Sequence, residues 1–458
     1  MADSGKIAWR GARPDESIRN LIIVVRADPI ICGHSTEARN LAEAARALGF
    51  ENIHIVSYPL DVLEASPLPL KPLDSVLPYS EGIAVDRPGT VGDYKVLDCR
   101  LLYGISGHLV DLLYQFQGRG RTALMDLYLV PHGQMVLSAV HSFAGTTQNP
   151  NVSTIAEAVG SDITNVVSNA LKDGKFGAAQ IVLSNYLRHD LPVAVSEYTK
   201  QLIIESGEEV DAVLKTNFAQ RLREEVGISY PAIDTSTYTT IDHRQDDVRA
   251  ALAKRGLHQD NYLLFLSRVV KAKGVDDLID AYWASNLYGQ QPLVICGTGI
   301  ALPELKEKAA GDPHILFFDD VGDEEKGLLM HGCSAYVFPS KPRPEFTETF
   351  GIAVAEKMLA GGLGPVITTR TGGIPEATGG HCLEHAAGHV TDLRDRLNQL
   401  DRMSNEEKAE LAGRAREFAM RFDRAHVLGS LLERLRQGAV PQAAQRSAVT
   451  LPEQAEAG

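Results

Sequence analysis

An apolar run, a glycine-bearing turn and a helical stretch follow one another twice in this chain, once near its start and once past its middle. The first copy runs from Leu21-Ile22-Ile23-Val24-Val25 through Cys32-Gly33-His34 into a helical stretch from Ser35 to Leu48, which Gly49 stops. Ile53 to Ser57 reads as the strand that follows. The second copy begins at Tyr262-Leu263-Leu264-Phe265-Leu266, passes Lys273-Gly274, enters Val275 to Trp283 and returns as Pro292-Leu293-Val294-Ile295-Cys296, ending at Gly297. Short runs that are apolar on both faces are strands buried on both sides. Alternated with helices, they make a mostly parallel, doubly wound sheet. Ile315 to Phe318, Ala335 to Phe338 and Val366 to Thr369 read as three more such strands in the second half. The predicted class is therefore α/β, with two Rossmann-like halves facing across a cleft, because doubly wound sheets bind ligands beyond the carboxyl ends of their strands.

A length of 458 residues fits this division, since domains average about 150 residues. The net charge of −14 argues against nucleic acid and anionic lipid as partners, because both carry dense negative charge. No apolar stretch is long enough to span a bilayer, and Met1 to Asn20 lacks the apolar core of a signal peptide, so a cytoplasmic location is expected. Cys32, Cys99, Cys296, Cys333 and Cys382 show no CxxC spacing and read as buried thiols rather than as a disulfide framework or zinc site. Pro231 to Asp247 has little periodicity and reads as a linker, and the Ala-, Gln- and Pro-rich tail from Gln437 to Gly458 reads as disordered.

Three segments carry residues suited to chemistry. In Glu345-Phe346-Thr347-Glu348-Thr349-Phe350-Gly351-Ile352-Ala353-Val354-Ala355-Glu356, a helix starting near Gly351 offers amides to anionic oxygens, with Glu348 before it and Glu356 inside it. Carboxylates accept hydrogen bonds from sugar hydroxyls, so Glu348 is a candidate for a transferred sugar and Glu356 for a ribose. A helix-capping Glu348 and a solvated Glu356 explain the spacing equally well. In Ser267-Arg268-Val269-Val270-Lys271-Ala272-Lys273-Gly274, Arg268 and Lys273 follow a strand and can neutralise a diphosphate, although solvated charges also occur there. Gly297-Thr298-Gly299 lets backbone approach a phosphate or base, or is simply a strand-to-helix turn; Leu302 stands where a dinucleotide fingerprint needs its third glycine.

The series RVVKAKG, ICGTG, FPS, ETFGIAVAE and TTRTGGIPEAT, in this order, resembles the retaining glycosyltransferases of family four, which have the GT-B fold. The resemblance covers about residues 260 to 420. It implies that Arg268 and Lys273 contact the donor diphosphate, that Glu348 holds sugar hydroxyls, that amides near Phe350, Gly351 and Ile352 line sugar and phosphate, and that Glu356 binds the ribose. It also implies a glycine-rich loop at Gly33 and a histidine near the transferred sugar. Of His132, in Tyr128-Leu129-Val130-Pro131-His132-Gly133, and the weaker candidates His108 and His141, we favour His132. Two departures from the family pattern, Ser267 in place of glycine and a longer Gly361 to Pro365 segment, affect the base pocket.

The implied domains are residues 1–235 on the acceptor side, a linker at 236–257, a nucleotide-sugar domain at 258–419, a helix at about 420–437 that returns to the first domain, and a disordered tail at 438–458. Ser404 with Glu407 reads as a capping box opening the run from Asn405 to Arg436. The polar stretch from Ser142 to Lys175, with Gln148-Asn149-Pro150-Asn151, falls where acceptor-facing loops diverge. The expected reaction moves a hexose with retention from a UDP- or GDP-linked sugar to a hydroxyl of a small soluble acceptor, such as an aminocyclitol, a sugar or another secondary metabolite. No cofactor or metal is expected beyond that co-substrate. The acidic surface suggests a cationic acceptor. A sugar-nucleotide epimerase, a nicotinamide-dependent oxidoreductase and a non-catalytic sugar-nucleotide-binding protein stay open, as does a homodimer.

Overall fold

The computed structural model describes residues 17–66, 70–71, 73, 76–89, 99–147, 150–344 and 346–438. Glu345, Gln148, Asn149, the side chain of Cys99 and the tail beyond residue 438 lie outside this set.

Two wholly parallel sheets organise the chain. The first has seven strands: β1 (Ile18–Val24), β2 (Asn52–Val56), β3 (Ile83–Asp86), β4 (Arg121–Leu127), β5 (Val152–Ala158), β6 (Leu191–Ala194) and β7 (Gly227–Ile228), in spatial order β3-β2-β1-β4-β5-β6-β7. The second has six: β8 (Leu263–Leu266), β9 (Leu293–Cys296), β10 (Ile315–Phe318), β11 (Ala335–Phe338), β12 (Val366–Thr369) and β13 (Leu383–His385), in the order β10-β9-β8-β11-β12-β13. In each sheet the first strand in sequence lies centrally, and the order reverses beside it, between β1 and β4 and between β8 and β11. Such a switch point leaves a crevice at the carboxyl ends of those strands. This is the GT-B arrangement.

The strands read from apolar runs appear within a residue or a few of their expected places, because their side chains have nowhere to go but a two-sided core. Every residue of β4, β5, β9 and β11 is buried. β5 (VSTIAEA) was not anticipated: Ser153, Thr154 and Glu157 give it the polarity of a loop, yet all three are buried. The stretch from Pro231 to Asp247 is not an aperiodic linker. It forms helices at Thr235–Thr239, Thr240–His243 and Gln245–Lys254, the first capped by the Asp234 carboxylate on the Ser236 amide. Tyr238, Ile241, Val248 and Leu252 from these helices join the core of the second domain.

The expected capping box forms: Ser404 Oγ accepts from the Glu407 amide, and Glu407 accepts from the Ser404 amide. The C-terminal helical run breaks at Met420–Phe422 into helices Asn405–Ala419 and Arg424–Gly438. Val427, Leu428, Leu431, Leu432 and Leu435 of the latter belong to the first domain's core, so the chain crosses back. The two crossings are tied together, Ile233 N to Phe422 O at 2.9 Å and Arg424 N to Ile233 O at 2.9 Å. Cys296 and Cys333 are buried free thiols, and Cys32 and Cys382 are half-buried. Among the described residues no helix is long and apolar enough to cross a membrane.

Candidate active site

A cleft of about 600 Å³ opens between the domains at the carboxyl ends of both sheets. Its second-domain wall contains Arg268 and the run from Phe346 to Ile352. Its first-domain wall contains Arg26, Gly33, His34, Glu37, Tyr128 and His132.

On the second-domain side, β8 ends at Leu266 and Arg268 emerges exposed into the cleft. Lys273 follows in a 3₁₀ turn that turns its side chain inward; the residue is 5% exposed, with its ammonium 4.6 Å from the centre of the Phe338 ring and 5.4 Å from that of Phe346. Its Nζ donates to Glu348 Oε2 in a close ion pair. Burial pushes the Lys273 pKa down, and Glu348 pulls the other way. Glu348 is half-buried and lines the cleft, so one carboxylate joins the hidden cation to the open space. Two residues on, Phe350 is buried in the core, Gly351 takes φ +99°, and helix Ile352–Ala360 begins with no side-chain cap and no acid in its first turn. A positive φ is readily available to glycine alone, and here it turns the loop so that the helix N-terminus faces the cleft.

Glu356 is neither solvated nor part of the cleft lining. It is 6% exposed and accepts from Lys326 Nζ at 2.8 Å, close to Tyr238. Burial opposes the Lys326 charge, but Glu356 outweighs it and the ammonium is held above its ordinary range. Gly297 also lies outside the cleft lining. A Cβ there would sit 2.1 Å from the Ser267 carbonyl oxygen, so the glycine is required by the packing of two turns against each other.

On the first-domain side, Gly33 opens helix Gly33–Ala47, and an added Cβ would lie 3.1 Å from Ile352 Cδ1 across the cleft. His132 sits in the turn after β4, is 1% exposed, and has Nε2 3.0 Å from Tyr58 Oη while its Nδ1 has no hydrogen-bond partner among the described residues. Burial, followed by the charges of Arg26 and His34, pushes its pKa to about 3, so the ring is neutral. His34 is likewise pushed to about 3 by burial and by Arg26 and Arg268. His108 is bound 3.0 Å from Asp86 Oδ2, and His141 is exposed in the last turn of its helix; neither lines the cleft.

The sequence reading missed Arg26, His34 and Glu37. Arg26 stands two residues past the end of β1 as Arg268 stands two past β8, so the same signal was present. Glu37 is 2% exposed, accepts from the Ala232 amide at 3.1 Å and abuts Glu157, whose carboxyl is fully buried. Burial pushes both acids up, and the charge of Glu37 adds to the effect on Glu157. Asp162, one layer below, accepts from the amides of Leu129, Gly160 and Ile163 and so fixes the turn that carries His132.

Contacts across the cleft are specific. Thr349 Oγ1 donates to Val159 O at 3.1 Å, and the Glu376 carboxylate accepts from the amides of Glu197 and Tyr198, capping a helix of the opposite domain.

The sequence profile of Glycosyl transferases group 1 matches residues 247–416. The O-antigen chain mannosyltransferase C of Escherichia coli is 35% identical over 99 residues, which make up 21% of this chain and 25% of that protein; the matched part thus spans a quarter of the relative's length. Among solved structures, a glycosyltransferase from Rickettsia africae is similar with a TM-score of 0.65 at 15% identity, covering 93% of this chain and 99% of that one. Anabaena Alr3699/HepE, crystallised with UDP-glucose, is similar with a TM-score of 0.61 at 15% identity, covering 91% and 99%.

Proposed function

We propose that this chain, which matches the group 1 glycosyl transferases over residues 247–416 and has the GT-B fold, moves a hexose from a UDP- or GDP-linked donor to a hydroxyl of a small soluble acceptor, with retention at the anomeric carbon. The observation that carries this reading is the Lys273–Glu348 pair at the cleft-facing N-terminus of helix Ile352–Ala360. A diphosphate needs cations and amide donors where its charge grows as it leaves, and a sugar needs a carboxylate that accepts from its hydroxyls. Arg268 and the helix N-terminus supply the first, and Glu348 the second. Lys273, paired with Glu348, holds that carboxylate in place.

In the transfer, the bond from the anomeric carbon to the donor phosphate oxygen breaks and the bond to the acceptor oxygen forms on the same face. The acceptor proton passes to the departing phosphate. Neutral His132, with one ring nitrogen on Tyr58 and the other unpartnered, is suited to a hydrogen bond with the sugar rather than to acid catalysis near neutral pH. The cations and helix N-terminus take the role of charge stabilisation, so turnover is expected to survive chelator. The location that fits a soluble sugar nucleotide is the cytoplasm.

The test is thermal-shift screening with UDP, GDP, ADP and dTDP, followed by release of the nucleotide from its labelled sugar conjugate with and without acceptor. One nucleotide should raise the melting temperature, and release should require the acceptor. Isomerisation of the sugar without release would favour an epimerase, and binding without any turnover a non-catalytic role.

A further inference from the structure

The first amides of a helix find no partner within it, and in helix Glu197–Leu214 of the first domain they are taken up by two different domains. Ser196 Oγ, from the residue just before the helix, accepts from the Thr199 amide at 3.0 Å. The amides of Glu197 and Tyr198 donate instead to Glu376 of the second domain, at 2.8 and 3.2 Å, one to each carboxylate oxygen. A cap supplied by the opposite domain holds only while the two domains keep this spacing.

Glu376 is linked as firmly to the donor side. It belongs to the short helix Ile374–Thr378, and the turn before that helix, Gly372-Gly373, lies directly on the backbone of Glu348 and Thr349. A Cβ on Gly372 would stand 2.0 Å from the Glu348 carbonyl oxygen, and one on Gly373 2.0 Å from that of Thr349. The Gly373 amide donates to Glu348 O at 3.0 Å. The next residue of the loop, Phe350, has its ring centre 5.6 Å from that of Tyr230 and 5.0 Å from that of Phe422, beside the two crossings between the domains. The Tyr230 hydroxyl faces Glu376; burial and then that charge push its pKa up, so it stays a donor. Glu376 itself is half-buried and is not among the described cleft-lining residues.

We propose that Glu376 is a positioning residue for the transfer: its carboxylate, held by two amides of the opposite domain, sets the spacing at which the first-domain wall stands over Glu348 and the bound sugar. This rests on the transfer reading above and adds to it a group that acts from outside the cleft. Two bound reactants must meet at a defined separation, and a misplacement of about 1 Å lowers the rate by about 10². Donor diphosphate contacts lie in the second domain alone, so the spacing governs turnover and leaves nucleotide affinity nearly untouched.

The experiment compares the full-length protein with Glu376→Ala, Glu376→Gln and Glu197→Pro. The last removes one of the two amides from the first-domain side; proline suits the first helical position when the residue before it is extended, as Ser196 is at φ −165° and ψ 161°. Three quantities are measured: release of UDP from UDP-glucose and of GDP from GDP-mannose, with acceptor and into water; calorimetric affinity for UDP and GDP; and the radius of gyration by small-angle scattering. Glu376→Ala should lower kcat/KM for release by about 10² and enlarge the radius, with nucleotide affinity kept within about twofold. Glu376→Gln keeps an oxygen for one amide and Glu197→Pro keeps one amide for the carboxylate, so both should fall between Glu376→Ala and wild type. Glu197→Ala, which keeps the amide, should match wild type. A wild-type radius and turnover in Glu376→Ala overturns the proposal, and so does a loss of nucleotide affinity as large as the loss of turnover. An unimpaired Glu197→Pro beside an impaired Glu376→Ala overturns it too, since Glu376 would then act within its own domain. If Glu376→Ala does not fold, the other two variants still decide. Scattering needs no turnover: an enlarged radius in the variants, with no release by wild type, contradicts the transfer reading alone, and full turnover at a wild-type radius contradicts this inference alone.

Discussion

The two walls of the cleft handle charge in opposite ways. On the second-domain side the carboxylate that lines the cleft is tied to a buried cation, Glu348 with Lys273, and behind the lining Lys326 is paired in the same way with Glu356. On the first-domain side the histidines and the carboxyl that line the cleft, His34, His132 and Glu37, are pushed toward their neutral forms. Burial and neighbouring guanidinium groups discharge His34 and His132, and Glu37 beside Glu157 is pushed toward its protonated form. A wall built of ion pairs is preorganised and pays its desolvation on folding, so it is ready for a ligand of high, constant charge. A wall of neutral groups suits the hydroxyls of the proposed acceptor. Donor and acceptor differ in that way.

The sharpest way to break this contrast is to remove one partner of the central pair. Glu348→Gln keeps the side chain's shape but leaves the buried ammonium without its counter-charge and loses the proposed acceptor of sugar hydroxyls. The expected result is a loss of kcat of about 10² to 10³, the scale for one transition-state contact, with a smaller fall in melting temperature than Lys273→Ala because the uncompensated ammonium can shed its proton, the direction in which burial pushes it. Lys273→Ala should cost at least as much turnover and also stability, since it empties a site between Phe338 and Phe346 and strands the carboxylate. Burial of Lys273 separates the two variants. Equal melting temperatures for the two variants would show that the pair is not the buried element described here.

The contrast also explains what could be read in the sequence. β8 to β12 were legible because each is a short, mostly apolar run bounded by polar or turn-forming residues, a pattern with few alternatives. Glu348, Gly351 and Arg268 were legible for a related reason: they flank such runs at fixed offsets. β5 was not, because Glu157 and Thr154 in a central strand contradict the pattern and are tolerated only through partners distant in sequence, Glu37 and Asp190. The helices at 235–254 were hidden by a composition of Thr, Ser and Asp that serves as well for caps as for loops. Glu356 was visible as a residue but not as half of an ion pair, since Lys326 comes from another helix. Arg26 could have been found by applying to β1 the argument already applied to β8.

The seam that joins the walls gives an intermediate effect. Gly160 takes φ +104°, and a Cβ there would lie 2.1 Å from Thr349 Cγ2. Gly160→Ala therefore meets both a strained backbone and an interdomain clash, and about 1 to 3 kcal/mol is expected for the backbone alone. Its melting temperature should fall and the KM for donor should rise as Glu348 and the first-domain wall are pushed apart. Adding Thr349→Ala should restore the KM while recovering only part of the stability, because the clash is relieved and the backbone strain is not. Recovery of both, or of neither, would mean that the Thr349 contact does not set the spacing of the walls.

The smallest effect tests the neutral wall itself through pH. Glu37 has a folded-state pKa raised from the ordinary carboxylate range to about 7, burial being the main cause. An acid raised on folding binds more protons in the native than in the unfolded chain between about pH 4.5 and 7, so its contribution to stability is full below that window and is lost as pH rises through it. Glu37→Gln removes the titration while its amide oxygen can still accept from the Ala232 amide. The variant should thus gain melting temperature relative to wild type at pH 8 and show little gain, or a small loss, at pH 5. A difference that is constant across this range would mean that the Glu37–Glu157 site titrates alike in folded and unfolded chains. The first-domain wall would then be charged like the second, and the contrast between the two walls would not hold.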